Sequence, residues 1–496
     1  MNVTYQSTRG SESGITASQA ILKGLASDGG LFVPDHFPKL DKTVEELIPM
    51  NYREVAYEVM KLFLTDFTAK ELKDCISKAY DKKFDTDEIV PIHRALTGYY
   101  MELYHGPTLA FKDMALTMLP HLMTTAAKKN HDDKEIVILT ATSGDTGKAA
   151  LAGFADVPGT KICVFYPKKG VSPFQELQMV TQKGKNVKVV GINGNFDDAQ
   201  TGVKQIFTDE ALRAEMAKKG MQFSSANSIN IGRLVPQIVY YVWAYTRLVK
   251  EDIIRNGEEI NFSVPTGNFG DILAGYYAKQ LGVPIRHLIC ASNINNVLTD
   301  FFETGIYDKN REFFVTQSPS MDIVVSSNLE RLIYHISGGD AQLTADLMER
   351  LRVRGSYEIS AEMRDKLTDF IAGYADEGQT AREMRALFYD GNYLIDPHTA
   401  VASGVWEYYR EKKNDWTRTV VVSTASPFKF AWTVLAALGK DPDAPGIDLE
   451  KELSELSGLP IPKQVLEVRK APVLHNEICN RDRLSMELEV RSFLGM

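Results

Sequence analysis

Residues 135–155 read EIVILTATSGDTGKAALAGFA, and the stretch divides itself at Ser143. Its first eight residues form an aliphatic and β-branched run that is short for a helix and ends at a glycine turn, which predicts a strand buried on both faces. Beyond Ser143-Gly144-Asp145-Thr146-Gly147, the small residues of 148–155 suit a helix lying close against that strand. The same strand-turn-helix unit recurs along the chain. Strands are expected over 161–167 (KICVFYP), 186–192 (NVKVVGI), 261–265 (NFSVP), 285–291 and 417–424 (TRTVVVST), with helices over 197–219, 271–281 and 430–438. Strands alternating with helices specify parallel sheets covered on both faces, so the fold class is α/β with two parallel-sheet domains.

Working outward, 496 residues exceed a single ordinary core. Residues 1–95 predict a mainly helical N-terminal unit, with DGGLFVP (28–34) turning into an extended segment and amphipathic helices over 54–64 and 69–80. We expect a larger α/β domain from 96–130 and 231–440, a smaller one from 131–230, and a C-terminal extension over 441–496. The STRG segment near the start ties backbone together or brings Arg9 to an anion, and the structural role is the favoured one. A formal net charge of −9 and the lack of a Lys/Arg run argue against nucleic acid as a partner. Cys75, Cys163, Cys290 and Cys479 have neither disulfide-framework nor metal spacing, which points to reduced cytoplasm and no metal. The N-terminal MNVTYQSTRGSESG is polar, and no apolar run approaches a membrane span, so neither export nor a membrane is expected.

The chemistry is expected at Lys112, in YHGPTLAFKDMAL (104–116). Gly106, Pro107 and Thr108 read as a turn and Met114, Leu116, Met118 and Leu119 as a helix beginning, so the lysine stands at a loop-to-helix junction among Leu109, Ala110 and Phe111. Partial desolvation there lowers its pKa and makes the amine a nucleophile toward a carbonyl. Ligands in such sheets bind beyond the carboxyl ends of strands, and three strands here end in suitable loops. In TGNFGD (266–271), Gly267, Asn268, Phe269 and Gly270 open a helix where free N–H groups favour a phosphate. The loop is neither GxxxxGK[ST] nor GxGxxG, which sets aside a nucleoside triphosphate or a dinucleotide. SGDTG offers Ser143 and Thr146 for a substrate carboxylate or for plain N-capping. Thr424 offers a strand-end hydroxyl. A desolvated lysine, a phosphate cradle, an anion-binding turn and a strand-end hydroxyl together are the fittings of a pyridoxal phosphate site.

HGPTLAFKD, TATSGDTG, SANSINIGRL and VPTGNFGD resemble the motifs of the threonine synthase family, in the tryptophan-synthase-β-like group of pyridoxal phosphate enzymes (fold type II). The resemblance runs from STRG and GLASDGGLF to TASPFKF. It departs at Ser426, where the family usually has a histidine before the proline, and residues past about 440 match nothing useful. It implies conversion of O-phospho-L-homoserine and water to L-threonine and phosphate, by a carbon–oxygen lyase active in the cytoplasm as a monomer or homodimer. Lys112 would carry the cofactor as an imine and then serve as the base at Cα and Cβ, with Phe111 beside it. Gly267, Asn268, Phe269 and Gly270 would hold the cofactor phosphate, and Thr424 would bond the pyridine nitrogen. Ser143, Asp145 and Thr146 would face the substrate carboxylate and the ring, although the charge of Asp145 repels a carboxylate. Arg233 is the first candidate for the substrate phosphate, beside Ser228 and Asn230, with Lys148 second. His105 orients the lysine loop, relays a proton or is structural, and Asp396-Pro397-His398-Thr399 reads as a rigid turn opening a helix. The alternatives are a serine/threonine dehydratase or β-replacement enzyme of the same cofactor group and, from another class, a cofactor-free sugar-phosphate binder.

Overall fold

A computed structural model describes residues 2–142 and 144–496. The N-terminal unit carries an antiparallel pair, β1 (Tyr5–Ser7) and β2 (Phe32–Pro34), and four helices. All four begin in capping boxes; in Tyr52–Phe63 and Ala69–Ala79, Asn51 with Glu54 and Thr68 with Glu71 satisfy each other's free backbone donors. Their buried faces carry Val55, Val59 and Phe63, and Leu72, Ile76 and Ala79, at the spacing read in the sequence.

Two open sheets follow. In chain order the strands are β3 (Ile92–Ala95), β4 (Gly98–Glu102), β5 (Glu135–Ala141), β6 (Thr160–Pro167), β7 (Val187–Asn193), β8 (Met221–Ser224), β9 (Ile260–Pro265) and β10 (Ile285–Ser292). After them come β11 (Ile306–Asp308), β12 (Ser356–Glu358), β13 (Phe370–Tyr374), β14 (Thr419–Ser423) and β15 (Ile478–Asn480). The larger sheet has the order β13-β10-β9-β14-β4-β3, parallel except for β3, and the smaller has β15-β7-β6-β5-β8, parallel throughout. β11 and β12 form a small antiparallel pair of their own. Every residue of β9 and β14 is buried, as expected of central strands covered on both faces.

Three expectations are corrected. The helix expected over 197–219 is two helices, Phe196–Phe207 and Glu210–Lys218, because the Asp209 carboxylate accepts the Leu212 N–H at 2.7 Å and starts a new helix. The helix expected from 430 is preceded by a 3₁₀ turn, Pro427–Phe430, and runs over Ala431–Ala437. Residues 441–496 are not an appendage. Helices Leu449–Ser457 and Lys463–Lys470 bury Leu453 and Val465 in the core that holds Val421 and Leu435, after which β15 pairs with β7 and completes the smaller sheet. Helix Arg483–Leu494 then buries Met486, Val490 and Leu494 in that layer's core.

The N-terminal unit is locked to the rest through the helix Leu329–Ile336. Arg9 pairs with both oxygens of Glu330, at 2.9 and 2.8 Å, and Thr8 donates to the same carboxylate at 2.6 Å. STRG is therefore a structural tie. The neighbouring Arg331, fully buried, donates to the Phe32 carbonyl at 2.9 Å, the Ile229 carbonyl at 2.5 Å and the Asn328 side chain.

Candidate active site

Lys112 stands immediately before the helix Asp113–Leu116, on a loop fastened to the end of β14. The Phe111 N–H donates to the Thr424 carbonyl at 2.8 Å, the Ser426 N–H to the Leu109 carbonyl at 3.1 Å, and Ala110 bridges Ala425. Ser426 thus serves as a main-chain fastener. Only 11% of the Lys112 side chain is exposed. Burial lowers its pKa to about 8, Lys429 and Arg233 push in the same direction, and Asp145 opposes them. The Phe111 ring centroid lies 4.7 Å from Nζ.

The TGNFGD loop leaves β9 and opens the helix Gly270–Leu281. Phe269 adopts the left-handed conformation (φ 63°), an uncommon state for a bulky residue that turns successive N–H groups into one concavity. Among the described residues, none accepts a hydrogen bond from the N–H groups of Gly267, Asn268, Phe269 or Gly270. Four consecutive unbonded donors at a helix N-terminus fit a phosphate. The carbonyls of the loop are bonded: Ser326 Oγ donates to Gly267 O at 2.7 Å, and the Asn328 main-chain and side-chain nitrogens donate to Asn268 O at 3.1 and 3.0 Å. Neither Gly267 nor Gly270 has a positive φ. Glycine is required at 267 by close approach, since a Cβ there would lie 2.5 Å from the Ser320 carbonyl oxygen.

Asp145 faces Lys112 and not an open anion site. Its Oδ1 accepts from Lys429 Nζ at 2.9 Å and Gln175 Nε2 at 2.9 Å, and its Oδ2 accepts from Ser320 Oγ at 3.2 Å and lies 3.9 Å from Lys112 Nζ. Burial pushes its carboxyl up, but Lys429 and Lys112 outweigh it and hold the group far below the usual carboxylate range. The repulsion expected between Asp145 and a substrate carboxylate is thereby offset within the protein. In the SGDTG turn, Thr142 Oγ1 accepts the N–H groups of Gly144 and Gly147, at 3.0 and 2.9 Å, and so caps the helix Asp145–Phe154. Thr146 is half-buried in its first turn, and Ser143 lies outside the described residues.

Lys148 and Arg233 are both buried and poorly paired. Lys148 Nζ reaches Gln182 Oε1 at 2.5 Å, and burial lowers its pKa to about 8, against the pull of Asp113. Arg233 gives Nη1 to the Ala226 carbonyl at 2.8 Å, its Nε has no partner among the described residues, and burial lowers its pKa to about 10. Asn230 is fully used in structure: Oδ1 accepts the Gly232 N–H at 2.8 Å and Nδ2 donates to the Ile21 and Ser225 carbonyls, at 3.0 and 2.9 Å. Ser228 Oγ accepts from Asn328 Nδ2 at 3.4 Å. The Thr424 side chain makes no hydrogen bond among the described residues, which leaves its hydroxyl for a ligand. His105 is bracketed by Asp85 and Glu102, at 2.6 and 2.8 Å. Burial disfavours its cation, but the two carboxylates prevail and raise its pKa to about 9. An imidazole with both nitrogens donating to carboxylates braces the lysine loop and has no lone pair for proton relay.

Four contributors escape the motif reading: Lys429, Gln175, Asn328 and Ser320. The one signal available was Lys429 itself, a lysine between two phenylalanines in PFKF. It is fully buried and also donates to the Thr108 carbonyl at 2.9 Å.

Comparison with known proteins gives the family. Family models match over residues 4–80 (threonine synthase N terminus), 98–425 (pyridoxal-phosphate dependent enzyme) and 399–476 (threonine synthase, C-terminal). Threonine synthase-like 1 of Pongo abelii is 40% identical over 435 residues, covering 85% of this chain but 58% of its own, so the chain spans under two thirds of that relative's length. Threonine synthase of Schizosaccharomyces pombe is 36% identical over 473 residues, covering 89% of this chain and 90% of its own. The crystal structure of PLP-bound threonine synthase from Brucella melitensis is 35% identical and superposes with a TM-score of 0.85 over 99% of both chains. The chain belongs to the threonine synthase family of pyridoxal-phosphate-dependent enzymes.

Proposed function

We propose that this chain is a carbon–oxygen lyase that converts O-phospho-L-homoserine and water to L-threonine and inorganic phosphate. The observation that carries the reading is an excess of buried cation beside a phosphate cradle. Four cations, Lys112, Lys148, Lys429 and Arg233, stand against three carboxylates, Asp145, Asp113 and Asp271, around the two lysines Lys112 and Lys148. Such an arrangement is costly without anions and suited to a ligand pair that brings several.

The N–H groups of residues 267–270 would hold the cofactor phosphate, Thr424 Oγ1 would bond its ring nitrogen, and Lys112, beside the Phe111 ring, would be its attachment point. Pyridoxal phosphate supplies an electron sink conjugated to the substrate nitrogen, which acidifies Cα and then Cβ. Lys112 Nζ, poised near neutral by burial, takes the proton from Cα and moves protons at Cβ. Thr146 and the N-terminus of the helix Asp145–Phe154 receive the substrate carboxylate. Arg233 and Lys148 hold the substrate phosphate and stabilise the charge that grows on it as the Cγ–O bond breaks. Protons then return to Cγ, which becomes the methyl group, and to Cα, while water adds its hydroxyl at Cβ and its proton leaves with the phosphate. The four cysteines are free and buried, and no helix of the described residues is long and apolar enough to cross a membrane, in keeping with our assignment to the cytoplasm.

The test is phosphate release from O-phospho-L-homoserine, with threonine identified as the carbon product. Lys112→Ala should lose the activity by orders of magnitude while remaining folded, and borohydride should no longer attach cofactor to the chain. Wild-type protein that releases no phosphate yet deaminates serine or threonine makes the chain a dehydratase.

A further inference from the structure

The 3₁₀ turn Pro319–Met321 lies across the site, although no lysine, glycine or strand-end motif points to it. Its Ser320 Oγ stands 3.2 Å from Lys112 Nζ and 3.2 Å from Asp145 Oδ2. Lys112 and Asp145 are themselves 3.9 Å apart, too far for a hydrogen bond, so the serine hydroxyl links ammonium to carboxylate. The direction of that link is set. An ionised carboxylate can only accept, and Oδ1 of Asp145 is already taken by Lys429 and Gln175. Ser320 therefore gives its proton to Asp145 Oδ2 and turns its lone pairs toward Lys112.

The serine is held from behind. Its N–H donates to His398 Nε2 at 3.1 Å, which places the ring proton on Nδ1, and Nδ1 donates to Asp396 Oδ2 at 2.6 Å. Asp396 also accepts the N–H groups of His398 and Thr399, at 3.0 and 3.1 Å. Both residues are buried, and Phe430 packs edge-on against the imidazole with centroids 4.9 Å apart. From the other side the Ser320 carbonyl rests over Gly267. The turn is thus clamped between a buried His–Asp pair and the phosphate cradle.

We propose that Ser320 is a catalytic residue, accepting an N–H of Lys112 so that the lone pair of the free amine points away from Asp145 and toward the ligand, with His398 and Asp396 as positioning residues that act through it. This rests on the proposed function in taking Lys112 as the reacting amine. A neutral amine has two N–H groups and one lone pair in three staggered positions; an acceptor fixed at one of them takes an N–H there and confines the lone pair to the two positions turned away from it. The charged groups facing Lys112 are Asp145, Lys429, Arg233, Asp113 and Asp271. Deleting the hydroxyl leaves all five in place and removes an acceptor from the ammonium, so its proton affinity falls.

The experiment uses cofactor-free full-length enzyme. Capture of pyridoxal phosphate by Lys112 is followed between about pH 6 and pH 10, with borohydride trapping and peptide mass to identify the lysine. Wild type should show a midpoint near the value of about 8 set by burial. Ser320→Ala should move it down by about one pH unit, a tenfold loss of proton affinity, and Ser320→Thr, which keeps the hydroxyl, should restore it. In the loaded enzyme Ser320→Ala should lower kcat by about ten- to a hundredfold with KM changed by less than about threefold. His398→Ala should shift the capture midpoint in the same direction, and combining it with Ser320→Ala should add nothing further. His398→Gln, whose amide oxygen can replace Nε2 as acceptor, should recover most of the shift. An unmoved midpoint in Ser320→Ala overturns the catalytic assignment, and an additive double variant overturns the positioning role. Capture by a lysine other than Lys112 in wild type would refute the proposed function instead.

Discussion

Lys429 Nζ lies 2.9 Å from Asp145 Oδ1 with none of its side chain exposed to solvent. Breaking a buried pair from one side leaves an uncompensated charge, which costs about 3–5 kcal/mol. Lys429→Met should therefore lower unfolding stability by that order, read from the urea midpoint at unchanged slope. A loss below about 1 kcal/mol would show that Gln175 and Ser320 carry Asp145 unaided.

Arg233 presents the opposite case, a buried guanidinium whose Nε has no partner. Replacing such a poorly paired charge by an apolar side chain of similar length is often neutral or stabilising. Arg233→Met should leave the cofactor-free protein as stable as wild type or more so. It should also lower kcat/KM for O-phospho-L-homoserine by about one to two orders of magnitude, the worth of a charge-assisted contact of about 1.5–3 kcal/mol. Unchanged kcat/KM removes Arg233 from the substrate site and leaves Lys148.

The two cradle glycines differ in what surrounds them. A Cβ at Gly267 meets the Ser320 carbonyl at 2.5 Å, whereas one at Gly270 meets the Asn328 side-chain nitrogen at 3.4 Å, an ordinary contact. Gly267→Ala should weaken pyridoxal phosphate binding at least about tenfold more than Gly270→Ala, since main chain must shift in the first and not in the second. Equal affinities, measured by titrating cofactor into stripped protein, would contradict the close approach at residue 267.

His105 has a pH signature. Its folded-state pKa of about 9 lies above the ordinary 6.5, so its contribution to stability is complete below pH 6.5 and is lost as the pH rises through 9. The shift corresponds to about 3 kcal/mol at most. Wild-type unfolding free energy should fall across that window, and His105→Asn should flatten the slope. An identical slope in the two proteins would mean that Asp85 and Glu102 hold no imidazolium.

Much of the fold was legible because its signals are local. A strand, a glycine turn and a helix start occupy about a dozen adjacent residues, so 135–155 and 261–281 specify parallel units and place loops at strand ends without knowledge of any partner. The lysine's apolar neighbours and the four cradle residues belong to the same class of signal. The breaks were less visible: Asp209 divides a helix whose apolar spacing continues across it, because a short carboxylate competes for the backbone donors.

What only the tertiary structure decided is how the buried charges are paired. Ser320 is 208 residues from Lys112, and Asp145 and Lys429 come together from beyond strands of different sheets, β5 and β14. No periodicity encodes such meetings, because they depend on which loops two sheets bring face to face. For the same reason STRG was ambiguous until Glu330 appeared beside Arg9, and residues 441–496 read as an extension although their strand β15 pairs with the edge of β7. The sequence alone determined a lysine with apolar neighbours, a glycine turn that opens a helix and the sheets that carry them. Burial, which makes each unpaired charge costly, left the choice of partners to the packed structure.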